Sequence, residues 1–259
     1  MKERVEKTVN QHILKVSIGD RKYAWVLVTA ERTLAHFERV GDAEMVSDCL
    51  EIKATSLVHY REAKPGCAIM EMCGNTIAGQ CIDFSDGFIV VNEPWRGLRI
   101  GTYLMNYLVS WARENYPGYI AAGIRLGSIQ ANTETAKEIR NRFYDRFGFK
   151  FVWADDDHKE GILVGDLRVS DLNTTDKWME KIERFELANA LQEIFRDASI
   201  ALIEYENVKR GAECIASDRD RLRSQVQQSN WKRRIAAGWA FVAGIVVAFV
   251  FMKAHNVTI

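Results

Sequence analysis

The sequence predicts a mixed α/β (α+β) domain, then a long helix, then one apolar helix able to cross a membrane. Three observations carry this reading. Apolar runs of strand length alternate with helical patterns up to about residue 171. Residues 176–230 contain no proline and a single glycine, Gly211, while apolar residues recur in steps of three and four. Residues 235–252 form a run of 18 without a charge. The expected divisions are therefore 1–171, 176–230 and 235–252.

Within the first division, residues 23–28 read as a strand and 43–61 as a helix, which Lys64-Pro65-Gly66 breaks. Residues 67–84 read as a hairpin turning at Gly74-Asn75. The run Phe88-Ile89-Val90-Val91 reads as a buried strand that ends before Pro94. A helical pattern follows from Tyr103 to Val109. Residues 120–126 are a strand candidate, 133–147 a helix, and 162–169 the last strand, after an acidic loop at Asp155-Asp156-Asp157 that reads as solvated.

Composition excludes several classes. The 35 basic and 35 acidic residues cancel, so charge gives no argument for nucleic acid as a partner. Cys49, Cys67, Cys73, Cys81 and Cys214 contain no C-x-x-C pair, which argues against a disulfide framework or a zinc site and for a reducing compartment. The five histidines have no metal-ligand spacing. The N-terminus carries charges of both signs and is not a secretory signal.

In the second division, Ile182, Phe185, Leu191, Ile194 and Phe195 are expected to pack a helix onto the first domain. Ala198, Leu202, Tyr205, Val208, Ala212, Ile215, Leu222 and Val226 approach a heptad pattern, interrupted at Arg219, and are expected to drive self-association. In the third, 18 residues at about 1.5 Å each span about 27 Å, near the thickness of a hydrocarbon core. Lys232-Arg233-Arg234 precede the span and Lys253 follows it. That bias places the N-terminal bulk in the cytoplasm, a single-pass, tail-anchored arrangement. Ala236, Ala240, Gly244 and Ala248 share one helix face, where small residues let two membrane helices approach. A homo-oligomer through 198–252 is the expectation; the alternative is a monomer.

The most informative stretch joins the strand ending at Val91 to the helix beginning near Gly101. Glycines in a loop at a helix N-terminus suit a phosphate group, because first-turn amides lack partners within the helix and its dipole favours an anion. Arg96-Gly97-Leu98-Arg99-Ile100-Gly101-Thr102 resembles the R-x-x-G-x-G/A signature of the GNAT N-acetyltransferases. Tyr144-Asp145-Arg146-Phe147-Gly148-Phe149 resembles that family's second landmark, a helix ending in Y-x-x-x-G-F. Over about residues 10–170, the resemblance implies a GNAT-like mixed sheet flanked by helices and acetyl-coenzyme A as co-substrate. It implies that Val90 and Val91 hold the pantetheine arm. It also implies that Arg96, Gly97, Leu98, Arg99, Ile100, Gly101 and Thr102 surround the pyrophosphate.

Tyr144 matches the tyrosine that protonates the departing thiolate in that family; the other reading of it is a core aromatic beside Phe143 and Phe147. Glu71, Asp83 and Glu93 are the candidates for a general base toward an unidentified amine acceptor. Arg99 departs from the pattern, standing where the family has a glycine, and either adds charge at the phosphate site or obstructs it. Two functions follow: a membrane-anchored N-acetyltransferase, or a GNAT-fold scaffold or assembly factor without catalysis.

Overall fold

Residues 48–56 alternate strictly. Asp48, Leu50, Ile52, Ala54 and Ser56 are buried, while the residues between them are exposed or half-buried. That period of two belongs to a strand, not to the helix expected over 43–61. The computed structural model describes residues 3–19, 22–39, 42–58, 60–77, 80–84 and 91–255, of which 3, 37–39, 42–45 and 239–255 by backbone alone. It opens with three long strands, β1 (Glu3–Gly19), β2 (Lys22–Arg39) and β3 (Asp42–Ser56), followed by β4 (Ala68–Ile77) and β5 (Cys81–Asp83). All are antiparallel neighbours.

The expected turn at Gly74-Asn75 is absent, because β4 runs through both residues. Gly74 serves packing instead. A Cβ there would come within 2.8 Å of Leu108 Cδ1 and 2.9 Å of Trp111 Cζ3. Both side chains belong to α1 (Ile100–Asn115), which therefore lies close against the sheet and buries Leu104, Met105, Leu108, Val109 and Ala112.

After α1, β6 (Ile120–Ala122) pairs parallel with β5. The strand expected over 120–126 is broken at Gly123. Its second half, β7 (Arg125–Leu126), leaves the main sheet and pairs with β9 (Gly161–Leu163), which also pairs with β8 (Phe151–Trp153). Between them, α2 (Glu134–Arg146) is capped by Thr133, whose side chain accepts from the Ala136 amide at 3.1 Å. Beyond β9 the expected strand over 162–169 stops at Leu163. Leu167 and Val169 bond back to Ala121 and Tyr119, each at 2.8 Å.

Ile182 and Phe185 also differ from expectation. They lie in β10 (Ile182–Glu186), which covers the open edge of β1 rather than forming a helix. Phe185 meets Trp25 edge to face. The main sheet order is β10-β1-β2-β3-β4-β5-β6. Helix α3 (Leu187–His255) follows, and the chain divides into units at Met1–Leu191 and Gln192–Ile259. In the second unit Leu202, Tyr205, Val208, Ile215, Leu222 and Val226 are exposed. The expected membrane span, 235–252, falls mostly outside the residues described with side chains. Among the described residues no helix is long and apolar enough to cross a membrane.

Candidate functional site

The signature loop stands where the strand order parts. The parallel pair β5–β6 ends at Asp83 and Ala122, with one further bond from the Phe84 amide to Ala122. Beyond it β7 turns to β9, whereas Asn92 remains bonded to β4 through the Ile69 carbonyl at 3.1 Å and the Ala68 carbonyl at 2.6 Å. The chain thus leaves the main sheet after β6, while residues 85–90, which lead from β5 toward α1, lie outside the described residues. Val90 lies outside the described residues. Val91 accepts a bond from Arg96 Nε at 3.1 Å.

From there the chain makes one short turn, Glu93–Trp95, and buries Trp95 against Tyr60. Leu98 and Ile100 turn their side chains into the core, and Thr102 is buried with them. Gly97 has φ +76°, and a Cβ there would meet nothing within 4 Å, so the loop surface is open at this point. Arg99, immediately before the helix, also takes the left-handed conformation, at φ 68° and ψ 4°. For a non-glycine residue that conformation costs on the order of 1 kcal/mol and persists only where neighbours enforce it. One such neighbour is Glu180, whose carboxylate accepts from Arg99 Nη2 at 2.6 Å and from Lys177 at 3.2 Å. Those two cations hold the Glu180 carboxyl below its ordinary range. Lys181 donates to the Gly97 carbonyl at 3.0 Å. The loop is thereby rimmed by Arg96, Arg99, Lys177 and Lys181, with Glu180 among them, and cations outnumber acids beside the N-terminus of α1.

Glu180 and Lys181 were not legible as site residues in the sequence. They lie past the signature in a stretch without a motif, and only folding brings 177–181 onto the loop.

The expected catalytic groups occupy different places. Tyr144 is buried on α2 among Phe143, Phe149 and Phe151, and burial pushes its phenol up to about 12. It is fully protonated at neutral pH and is therefore a donor, not a base. Four residues earlier on the same face, buried Arg140 donates to the carbonyls of Gly127, His158 and Lys159, fixing α2 against two loops. Asp83 ends β5 at the parting of the strands, opposite Asn75 and Ala122. Glu71 lies on β4, 4.0 Å from Lys53. Its neighbour Glu51 has a carboxyl raised first by burial and then by Glu71. The helix expected over 43–61 had hidden Glu51 from view. Glu93 is exposed at the start of the short turn. The structure thus brings Asp83 to the parting and leaves Glu71 and Glu93 on β4 and in the loop.

Residues 54–151 match the family model of the acetyltransferase (GNAT) domain. The match takes in the signature loop, α1, α2 and the parting strands; residues 177–181 lie outside it. No curated protein and no solved structure matches the chain.

Proposed function

We propose that the chain is an acetyl-coenzyme A-dependent N-acetyltransferase acting on an amine, anchored to a membrane by its C-terminal helix. The observation that carries the reading is the open, cation-rimmed loop at the N-terminus of α1. The amides of Gly97 to Thr102, with Arg96 and Arg99, suit a pyrophosphate. Glu180 draws the Arg99 guanidinium to the rim, so the arginine adds charge without its side chain covering Gly97. By the family resemblance, the backbone at Val91, ahead of the loop, is the stretch that would hold the pantetheine arm.

Acetyl-coenzyme A, when bound, supplies an acetyl thioester. Asp83, at the parting, is the carboxylate best placed to take the proton of an incoming amine, with Glu71 and Glu93 as the other candidates. Tyr144, kept protonated by burial, is the donor to the departing sulfur. The scaffold alternative rests on Arg99 at a glycine position, and one titration decides between the two. The full chain in detergent is expected to bind acetyl-coenzyme A, and absence of binding at about millimolar ligand selects the scaffold. With a panel of amines, Tyr144→Phe is expected to lower kcat by about 10- to 100-fold while leaving cofactor affinity unchanged. A loss of stability at constant rate per folded molecule would make Tyr144 a packing residue only.

The membrane reading rests on residues 235–252 and their basic flank, which place the N-terminal domain in the cytoplasm. The apolar steps along 198–226 then favour a parallel homo-oligomer, most simply a dimer, because the membrane helix and the heptads reinforce one another. Single-cysteine variants along 198–226, cross-linked in membranes, are expected to react at heptad spacing. No cross-link at any position, with the protein membrane-bound, rejects the oligomer; recovery of the chain in the soluble fraction rejects the anchor.

A further inference from the structure

Two thiols touch on the side of the main sheet that faces away from α1. Cys49 on β3 and Cys73 on β4 place their sulfurs 3.4 Å apart, and either can donate to the other. Both residues keep part of their surface in solvent. Sequence spacing does not join them, since they lie 24 residues apart with no C-x-x-C pair. The register does. Cys49 stands opposite Asn75 and Cys73 opposite Glu51, so the cysteines are diagonal neighbours that flank the pair Leu50–Gly74. Leu50 and Gly74 point to α1 and the core, and the strand period of two turns the sulfurs to the other face.

Two sulfurs in contact have a chemistry that a single thiol lacks. A hydrogen bond from one thiol favours the thiolate of its neighbour, which is the attacking form. A sulfenic acid formed on one is captured by the other. We infer that Cys49 and Cys73 form a reversible dithiol–disulfide site, with hydrogen peroxide as the oxidant. The thiolate of one cysteine attacks a peroxide oxygen, breaking the O–O bond and leaving a sulfenic acid and, after protonation, one water. The other thiol then attacks that sulfur, forming the S–S bond and releasing its oxygen as a second water. The two thiols together give up two electrons and two protons, and the peroxide is reduced to water. The register makes the bond reversible. Diagonal residues of an antiparallel ladder have Cα atoms about 7–8 Å apart, whereas a relaxed disulfide takes about 4.4–6.8 Å. Closing it must draw β3 and β4 together around Leu50 and Gly74, where Leu108 and Trp111 already press on Gly74. Strained disulfides are the readily reduced ones, and transient disulfides are the kind a reducing compartment allows. The inference is independent of the acetyltransferase reading.

The test uses the full chain in detergent, fully reduced, then treated with hydrogen peroxide, alkylated, and read by intact mass and by peptide mapping without reductant. The expected result is a loss of two hydrogens, one bond joining residues 49 and 73, and its reversal by reduced glutathione. Cys67 and Cys214 are the exposed thiols, and Cys67→Ser and Cys214→Ser are expected to keep that bond. Cys49→Ser and Cys73→Ser are expected to lose it and to leave on the remaining partner a sulfenic acid that dimedone traps. The proposal is overturned by no bond between 49 and 73, by a bond formed in preference through Cys67, Cys81 or Cys214, or by no trapped sulfenic acid in either single variant. A 49–73 bond that glutathione leaves intact would equally overturn it, because the pair would then be a structural staple.

Discussion

Gly101→Glu is expected to abolish acetyl-coenzyme A binding and to weaken the fold at the same time. From sequence, this glycine reads as a residue facing the phosphates, so that a glutamate would repel them from an intact fold. The structure corrects the direction. A Cβ on Gly101 would point beneath the helix, 3.3 Å from Val91 Cγ2 and 3.5 Å from Met70 Sδ. A glutamate must therefore either force a carboxylate among buried Met70 and its neighbours or push the start of α1 away from Val91. Overpacking a tight site costs about 1–3 kcal/mol, and an unpaired buried charge adds more. Either response displaces the first-turn amides. Gly101→Ala separates the causes: its methyl needs Val91 to give by a few tenths of an ångström, so a small loss of stability and a modest loss of affinity are expected. Calorimetric titration and thermal unfolding of both variants check this. Unchanged affinity in the glutamate variant would place the co-substrate elsewhere.

The same residue shows what was legible. The loop and its helix could be read because glycine spacing, a proline and a 3.6-residue apolar pattern all changed within about ten residues. The second landmark was legible for a similar reason, since Tyr144, Gly148 and Phe149 lie within six residues at the end of one helical pattern. The outer sheet was not. Val5 and Val9 in the first half of β1 remain more than half exposed, at 53% and 52%, so that half lacks the buried apolar face by which strands are recognised. Over 43–61, good helix formers such as Glu44, Met45, Leu50 and Glu51 outweighed the period of two that β3 follows; pairing of β3 with both β2 and β4 overrode local propensity. Gly74-Asn75 has the composition of a turn, but the same glycine is what a close helix requires, and a dipeptide does not distinguish the two uses.

The site divides along the same line. Residues 96–102 were identified because their chemistry is local. What closes the loop is not: Glu180 lies 81 residues from Arg99 in sequence, and Lys181 lies 84 from Gly97. A departure from the signature at Arg99 gains its meaning only from that distant carboxylate. Choice among Asp83, Glu71 and Glu93 likewise depends on where β6 and β7 part, which follows from Gly123 and the pull of β9 rather than from any residue beside the acids.

Asp48→Ala is the substitution expected to cost the most stability outside the core. Asp48 is fully buried, yet it is the hub of a polar cluster. It accepts from Arg32 Nε at 3.0 Å and Nη2 at 2.6 Å, and from the Tyr116 hydroxyl at 2.5 Å. Arg32 donates in turn to Asn115, which bonds back to the Trp111 carbonyl. The cluster therefore ties β2 and β3 to the C-terminal end of α1, and burial together with Asp48 raises the Tyr116 phenol above its ordinary range. Removing the carboxylate leaves a guanidinium and a hydroxyl without their acceptor. Full burial of the stranded charge is avoided, because Arg32 keeps 35% of its side chain in solvent. The expected loss is accordingly about 3 kcal/mol, at the lower end for a broken buried ion pair, or about 10 °C in Tm. Tyr116→Phe removes one donor and leaves the ion pair, so about 1 kcal/mol is expected. If the cluster acts as a unit, the double variant falls short of the sum of the two single losses, because without Asp48 the tyrosine hydroxyl has nothing to bond. Strict additivity would mean that Asp48 holds Arg32 and Tyr116 independently, and a Tm shift below about 2 °C in Asp48→Ala would mean that α1 is secured to the sheet by its apolar face alone.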